Sequence, residues 1–134
     1  QRLVFGTLDY ALDLDLGTDP IALDAGHAHL ALVSRAAGID SPVAGVTTEL
    51  DDEAQLLADF ARARAHGFGA KLCIHPKQVA PLHAALRPAP QELDWARRVL
   101  LATEHSAGAA VQVDGRMVDR PVIERARRIV ARAG

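Results

Sequence analysis

The sequence is poor in cysteine and in aromatic residues. Cys73 is the only cysteine among 134 residues, so no disulfide can form within the chain, and a reducing cytoplasm is the expected compartment. Phenylalanine, tryptophan and tyrosine make up 4% of the residues, whereas apolar residues of all kinds make up 49%. The core is therefore expected to consist of alanine, leucine and valine, as in helices packed on strands with small side chains.

The sequence also lacks long segments of a single charge sign and long apolar segments. The net charge is −2, and basic and acidic residues are mixed along the chain, so there is no basic stripe to bind the phosphates of a nucleic acid. No apolar run approaches the roughly 18 residues of a transmembrane helix. The composition therefore predicts a globular protein that binds neither nucleic acid nor membrane.

The beginning of the chain is abrupt. Gln1 and Arg2 lead directly into an apolar segment at Leu3, without an initiator methionine or a signal peptide. We expect the natural chain to be longer at its N-terminus, and an engineered or processed start is the alternative.

Short apolar segments alternate with segments of helical spacing in the first part of the chain. Strands are predicted at residues 3–5, 42–46 and 71–74, and helices at 20–37 and 52–66, whereas the acidic residues 9–19 are expected to be irregular. Such alternation predicts right-handed βαβ units with parallel strands. A (β/α)8 TIM barrel needs about 250 residues, so this α/β chain is expected to be the C-terminal part of one.

The remainder of the chain has a different pattern. Helical spacing recurs near residues 79–86, 93–101 and 121–130, and Asp114-Gly115 between two apolar segments predicts a two-residue β-hairpin. We therefore expect barrel strands and helices over residues 1–76, and a helical arm with a hairpin over residues 77–134.

Asp9 is the first candidate functional residue. It follows the first predicted strand at its carboxyl end, where parallel α/β folds carry their active sites. A carboxylate at that position suits Mg²⁺, which prefers oxygen ligands. An ordinary loop aspartate is the alternative, and position alone favours it.

Polar residues near the third strand and before the last helix are further candidates. His75 and Pro76 follow the third strand, where the histidine can act as an acid–base group or simply bond to the turn backbone. Lys71 can pair with a carboxylate or face an anionic substrate. Asp119 lies at the entrance of the last helix, where a helix-capping aspartate is expected. His27 and His29 are interpreted as solvent-facing or packing residues, because residues two apart do not share a helix face.

Several segments together resemble one enzyme family. They are residues 4–10 (Val-Phe-Gly-Thr-Leu-Asp-Tyr), 34–39, 67–68 with Lys71, 74–79 (Ile-His-Pro-Lys-Gln-Val) and 114–122. In order and spacing they resemble the C-terminal half of the citrate lyase β-subunit family of CoA-ester lyases, which includes malyl-CoA and citramalyl-CoA lyases.

The resemblance implies a Mg²⁺-dependent barrel enzyme that cleaves a carbon–carbon bond next to a CoA thioester, giving an acyl-CoA and a keto acid. Asp9 matches the second of two metal carboxylates, and the first, a glutamate, belongs to an earlier strand that this chain does not contain. Asp119 matches a catalytic carboxylate that the arm contributes to a neighbouring subunit, commonly in a trimer. Gly6, His75 and Pro76 match the substrate and CoA site.

Departures from the family pattern leave the substrate open. The chain has His27-Ala28-His29, Val43-Ala44-Gly45 and Gly69-Ala70-Lys71 where the family often has Arg-Ser-Arg, Ile-Asp-Gly and Asp-Gly-Lys. A pyruvate-type class II aldolase acting on free hydroxy-keto acids is one alternative, although that group generally lacks the arm. A non-catalytic fragment is the other, and the isolated chain is expected to be inactive.

Overall fold

The structure, a computed structural model, describes residues 1–104 and 111–133. The chain divides into two compact units, Gln1–Leu86 and Arg87–Gly134. The boundary predicted after Pro76 lies one helix earlier than this division. That helix, α4 (Val79–Leu86), belongs to the first unit because its Leu82 joins a buried cluster within it.

Three parallel segments form the small sheet of the first unit. Val4 makes a parallel bridge to Val43, and the strands β1 (Val43–Ala44) and β2 (Ala70–Lys71) pair in parallel beside it. The third strand is shorter than the predicted 71–74. The Leu72 N–H still donates to the Ala44 carbonyl at 2.9 Å, and the chain then turns into a short 3-10 helix at Pro76–Gln78.

Helix α2 (Asp24–Ala36) connects the first two segments, as predicted. It is preceded by a 3-10 turn at Pro20–Leu23, which Asp19 caps by accepting the Ile21 N–H at 2.9 Å. Gly38 follows the end of α2 with a φ of 66°, a left-handed conformation that glycine adopts without a steric penalty.

Helix α3 (Glu53–Ala65) connects β1 to β2, also as predicted. The side chain of Asp52 accepts the Gln55 N–H at 2.9 Å and so caps the first turn. Leu56 and Phe60 on this helix are buried against Leu82 of α4, which accounts for the apolar spacing of the sequence.

The prediction that residues 9–19 are irregular is wrong for the first part of that segment. Helix α1 (Thr7–Asp13) begins after Gly6, whose carbonyl accepts the Tyr10 N–H at 2.9 Å. The Tyr10 ring packs edge-on against Phe5 with their centroids 5.0 Å apart. Tyr10 also packs against the buried cluster that contains Ala44 and Phe68, and this packing stabilises a helical turn that the acidic composition does not suggest. Residues 14–19 are irregular as predicted.

The second unit is a helical hairpin with a β-hairpin between its helices. Helices α5 (Pro90–Glu104) and α6 (Arg120–Ala131) bury Ala96, Val99, Ala126 and Ile129 between them. The antiparallel strands β3 (Val111–Val113) and β4 (Arg116–Val118) flank Asp114 and Gly115. Both turn residues have positive φ, 53° and 73°, as the predicted two-residue turn requires. None of the helices in the described residues combines the length and apolarity of a membrane span.

Candidate functional site

A pocket of about 240 Å³ lies at the carboxyl ends of the parallel segments of the first unit. Thr7 follows the first segment, residues 45–49 follow β1, and Lys71 ends β2, so each segment contributes to the lining. Asp59 and Arg62 of α3 complete one wall. The position matches the place where parallel α/β folds bind their ligands.

A tight network of polar side chains holds one wall of this pocket. The Thr47 hydroxyl donates to Asp59 Oδ2 at 2.5 Å, and the Gln55 amide donates to Asp59 Oδ1 at 2.6 Å. Both oxygens of the carboxylate therefore have a donor, which fixes the loop after β1 against α3.

Lys71 brings a partly buried ammonium group to the same pocket. Its Nζ donates to the Gly45 carbonyl at 2.7 Å. Burial lowers the pKa of Lys71, and the Asp59 carboxylate opposes that shift. Arg62, by contrast, is bound to Asp24 by two hydrogen bonds of 2.7 Å each, so its charge is already balanced. Lys71 is thus the cation that faces the pocket without a paired carboxylate in direct contact among the described residues.

A buried amide joins the loops that follow β1 and β2. Gln78 is 2% exposed, and its Nε2 donates to the Thr47 carbonyl while its Oε1 accepts the Ile74 N–H, both at 2.9 Å. The sequence interpretation named His75 and Pro76 in this segment and missed Gln78. The sequence did contain a signal for it, because Gln78 lies in the family-like segment 74–79, directly after the end of the third strand.

Asp9 is exposed in the first turn of α1 and does not line this pocket. In the described part of the chain its carboxylate has no hydrogen-bond or ion-pair partner. A Cβ built on Gly6 would lie 3.5 Å from Asp9 Oδ2, so the carboxylate folds back over Gly6. A free hard-oxygen ligand of this kind fits a Mg²⁺ ion, which takes one or two carboxylates and water. Residues 1–104 and 111–133 contain no group of three metal-ligating side chains, so Asp9 fits as one ligand of an incomplete set.

His75 caps the 3-10 turn that Pro76 begins. Its Nδ1 accepts the Lys77 N–H at 3.2 Å, which is the backbone role considered for it. Because Nδ1 is the acceptor, the neutral ring carries its proton on Nε2. His75 therefore presents an N–H donor that suits an oxygen atom of a ligand.

Asp119 lies in the second unit and caps α6. Its Oδ1 accepts the Val122 N–H at 3.2 Å, and the side chain is exposed. The capping role expected from the sequence is therefore confirmed. The second carboxylate oxygen stays available for another function.

The histidines at 27 and 29 differ in their surroundings. His27 is 5% exposed, and its ring packs edge-on against Phe5 and Phe68 at centroid distances of 5.0 and 4.9 Å. Its Nδ1 bonds to the Leu23 carbonyl at 2.9 Å. Burial lowers the pKa of His27. His29 is exposed, so both agree with the packing or solvent interpretation.

These features are those of part of a TIM barrel, with a pocket at the carboxyl ends of parallel segments. A family model described as C-C_Bond_Lyase of the TIM-Barrel fold matches residues 29–134. The chain belongs to this family of carbon–carbon bond lyases.

Curated relatives support the same assignment. The chain is 34% identical to the citrate lyase subunit beta of Escherichia coli (strain K12) over 141 residues, which cover 99% of the chain and 46% of that protein. It is 36% identical to the (3S)-malyl-CoA thioesterase of Cereibacter sphaeroides over 137 residues, which cover 98% of the chain and 47% of that protein. The chain thus spans about half the length of the curated relatives it matches.

Solved structures show the same fold. CitE from Mycobacterium tuberculosis, in complex with magnesium, acetoacetate and coenzyme A, superposes with a TM-score of 0.83 at 30% identity, over 97% of this chain and 51% of that one. A citrate lyase from Burkholderia xenovorans superposes with a TM-score of 0.79 at 24% identity, over 98% and 45%. The second likeness concerns the fold alone.

Proposed function

We propose that the protein to which this chain belongs is a Mg²⁺-dependent lyase of a 3-hydroxyacyl-CoA of the citryl-, malyl- or citramalyl-CoA type. It cleaves the bond between the hydroxyl-bearing carbon and the carbon next to the thioester. The hydroxyl gives up its proton to a base, its O–H electron pair forms the carbonyl of a keto acid, and the electron pair of the broken carbon–carbon bond passes to the acyl-CoA as an enolate. A proton added to the enolate carbon completes the acyl-CoA.

The residues of the chain have distinct roles in this proposal. Asp9 holds Mg²⁺ together with a carboxylate from outside this chain, and the ion supplies Lewis-acid polarisation of the substrate oxygens. Gly6, which lies beside the Asp9 carboxylate, contacts the substrate. His75 donates from Nε2 to an oxygen of the CoA ester, and Pro76 fixes the turn that presents it. Asp119 of a neighbouring subunit handles the proton at the acyl-CoA carbon.

The observation that carries this proposal is the likeness to the magnesium- and coenzyme A-bound CitE over nearly the whole chain. The exposed Asp9 carboxylate agrees with it, because its oxygens bind no other group among the described residues and can ligate an ion.

Full-length protein with Asp9→Asn tests the metal role. We expect kcat/KM on the cleaved CoA ester to fall about a hundredfold or more, since stabilisation of the developing negative charge is lost. EDTA should abolish wild-type activity, and added Mg²⁺ should restore it. Asp13→Asn, one turn along the same helix, is the matched control. Unchanged turnover in Asp9→Asn, assayed with a panel of citryl-, malyl- and citramalyl-CoA, would contradict the assignment.

Thioester hydrolysis is the second candidate activity, and the 36% identity to a (3S)-malyl-CoA thioesterase favours it. Asp119 would then activate water instead of handling a carbon-bound proton. Separate measurement of keto acid and of free CoA thiol distinguishes the two reactions, because cleavage alone leaves the thioester intact.

A further inference from the structure

The sheet between β1 and β2 ends early, yet the loops beyond it remain connected. The ladder pairs Ala44 with Lys71, and its continuation is a single hydrogen bond from Leu72 to Ala44. Thr47 and Ile74 lie three residues beyond Ala44 and Lys71, and in the described chain no strand pairing joins them. The Gln78 amide spans this gap, with one 2.9 Å hydrogen bond to each loop.

We propose that Gln78 is a positioning residue of the lyase site, whose buried amide holds the loop after β1 and the turn after β2 together and so places His75 against the CoA ester. This inference rests on the proposed function. Gln78 acts through His75 and does not itself touch the substrate.

The chemistry of the amide is what makes it suitable for this role. One group must accept a hydrogen bond from the Ile74 N–H and another must donate to the Thr47 carbonyl, and glutamine supplies both on one side chain. The hydrogen-bonded network also reaches α3, because the Thr47 hydroxyl donates to Asp59 on that helix at 2.5 Å. An apolar residue at position 78 would leave two backbone groups unsatisfied.

The positioning role is tested by comparing Gln78→Leu and Gln78→Glu in the full-length protein. With Gln78→Leu, we expect KM for the CoA ester to rise about tenfold at every pH, with kcat changed less than about twofold, because binding geometry is lost and the chemistry is not. Gln91→Glu, at the exposed start of α5, is the control and should match wild type.

Gln78→Glu should make KM depend on pH, which a general loss of protein stability would not do. A protonated carboxyl group can accept from Ile74 and donate to Thr47 as the amide does, whereas a carboxylate cannot donate and repels the Thr47 carbonyl. Burial raises the pKa of such a carboxyl above its ordinary value of about 4.3. KM should therefore be near wild type at low pH and rise toward the Gln78→Leu value as pH increases through that raised pKa.

The charged groups around position 78 also raise the pKa of a glutamate placed there. They are His75 and Lys77 on the same turn, Glu49 and Asp51 after β1, and Glu53 and Asp59 on α3. Lys77 is already bound to Asp51 at 2.6 Å. The remaining carboxylates add negative charge near position 78 and favour the protonated form of the new side chain.

Amide hydrogen exchange provides a measurement that needs no catalysis. In Gln78→Leu the Ile74 amide should exchange about tenfold faster, because it loses its acceptor, while the thermal midpoint shows that the protein stays folded. Unchanged Ile74 exchange, or a pH-independent KM in folded Gln78→Glu, would overturn the inference. Faster Ile74 exchange in a protein without activity on CoA esters would instead reject the proposed function and leave the connection between the loops in place.

Discussion

His27 is an ionisable side chain buried in the aromatic core of the first unit. Its ring is enclosed by Phe5 and Phe68 and stacks on His66 at a centroid distance of 5.6 Å. Burial lowers the pKa of His27, with smaller opposing contributions from its bond to Leu23 and from Asp24. The folded state therefore favours the neutral ring.

This environment predicts a pH dependence of stability. Because the folded pKa lies below the unfolded value of about 6.5, the unfolded chain binds more protons as the pH falls below that value, and stability decreases there. Above about pH 6.5 this contribution disappears. His27→Phe should flatten the melting temperature between about pH 5 and pH 7 relative to wild type, and His29→Gln should not. Equal slopes for wild type and His27→Phe would contradict this explanation.

Gly26 shows how tightly the same core is packed. A Cβ on Gly26 would lie 2.5 Å from Cζ of the Phe5 ring, whereas a Cβ on Gly17 would meet nothing within 4 Å. Gly26→Ala should therefore destabilise the protein by about 1–3 kcal/mol through overpacking, despite the better helix propensity of alanine. Gly17→Ala should change stability by less than about 0.5 kcal/mol. Urea unfolding of both variants measures the difference, and similar midpoints would refute the close packing at Gly26.

At the scale of secondary-structure elements, α6 combines a structural and a proposed catalytic role at one residue. Asp119 caps the helix through the Val122 N–H, and the family resemblance assigns the same carboxylate to catalysis. The two roles can be separated because asparagine caps a helix about as well as aspartate, whereas alanine does not.

Asp119→Asn should therefore keep the stability of wild type and lower kcat, while Asp119→Ala should lower kcat and also destabilise the protein by about 1 kcal/mol. Asp114→Asn in the neighbouring hairpin is a useful comparison. It weakens the bond between Asp114 and Arg98 and leaves the carboxylate at position 119 in place. Full activity in folded Asp119→Asn would show that capping is the only role of this residue.

At the scale of the whole molecule, the proposed site is composite. Asp9 belongs to the first unit and Asp119 to the second, and we propose that a complete site takes Asp119 from a neighbouring copy. The chain spans about half the length of its curated relatives, so the test requires the full-length protein.

Mixed oligomers of Asp9→Asn and Asp119→Asn test the contribution from a neighbour. If Asp119 acts on a neighbouring site, random mixing of equal amounts should leave about a quarter of the sites with both carboxylates. If the two residues act within one chain, no site is complete. Activity of co-refolded mixtures, compared with each variant refolded alone, distinguishes the two cases. Absence of activity in oligomers shown to be mixed would reject the shared site.

Much of the fold could be predicted because it depends on neighbours along the chain. The caps at Asp19 and Asp52 bond to residues two and three positions away, and the Asp114-Gly115 turn depends on its own backbone angles. The parallel order of the three segments follows from the helical crossovers that connect them. Asp9, His75 and Asp119 were named as site residues from position and resemblance, and their catalytic roles stay predictions.

The sequence by itself determined the alternation of strands and helices, the caps and the hairpin turn, since each is set by steric and hydrogen-bonding preferences within a few residues. Only the tertiary structure decided that residues 7–13 are helical, that His27 is buried, and that Gln78 bonds to Thr47, which lies 31 positions earlier. The physical reason is that these features depend on packing against core residues distant in sequence, such as Ala44 and Phe68 in the cluster that Tyr10 contacts, and on buried hydrogen bonds across similar separations. Such contacts exist only after the chain has folded, and local propensity does not specify them.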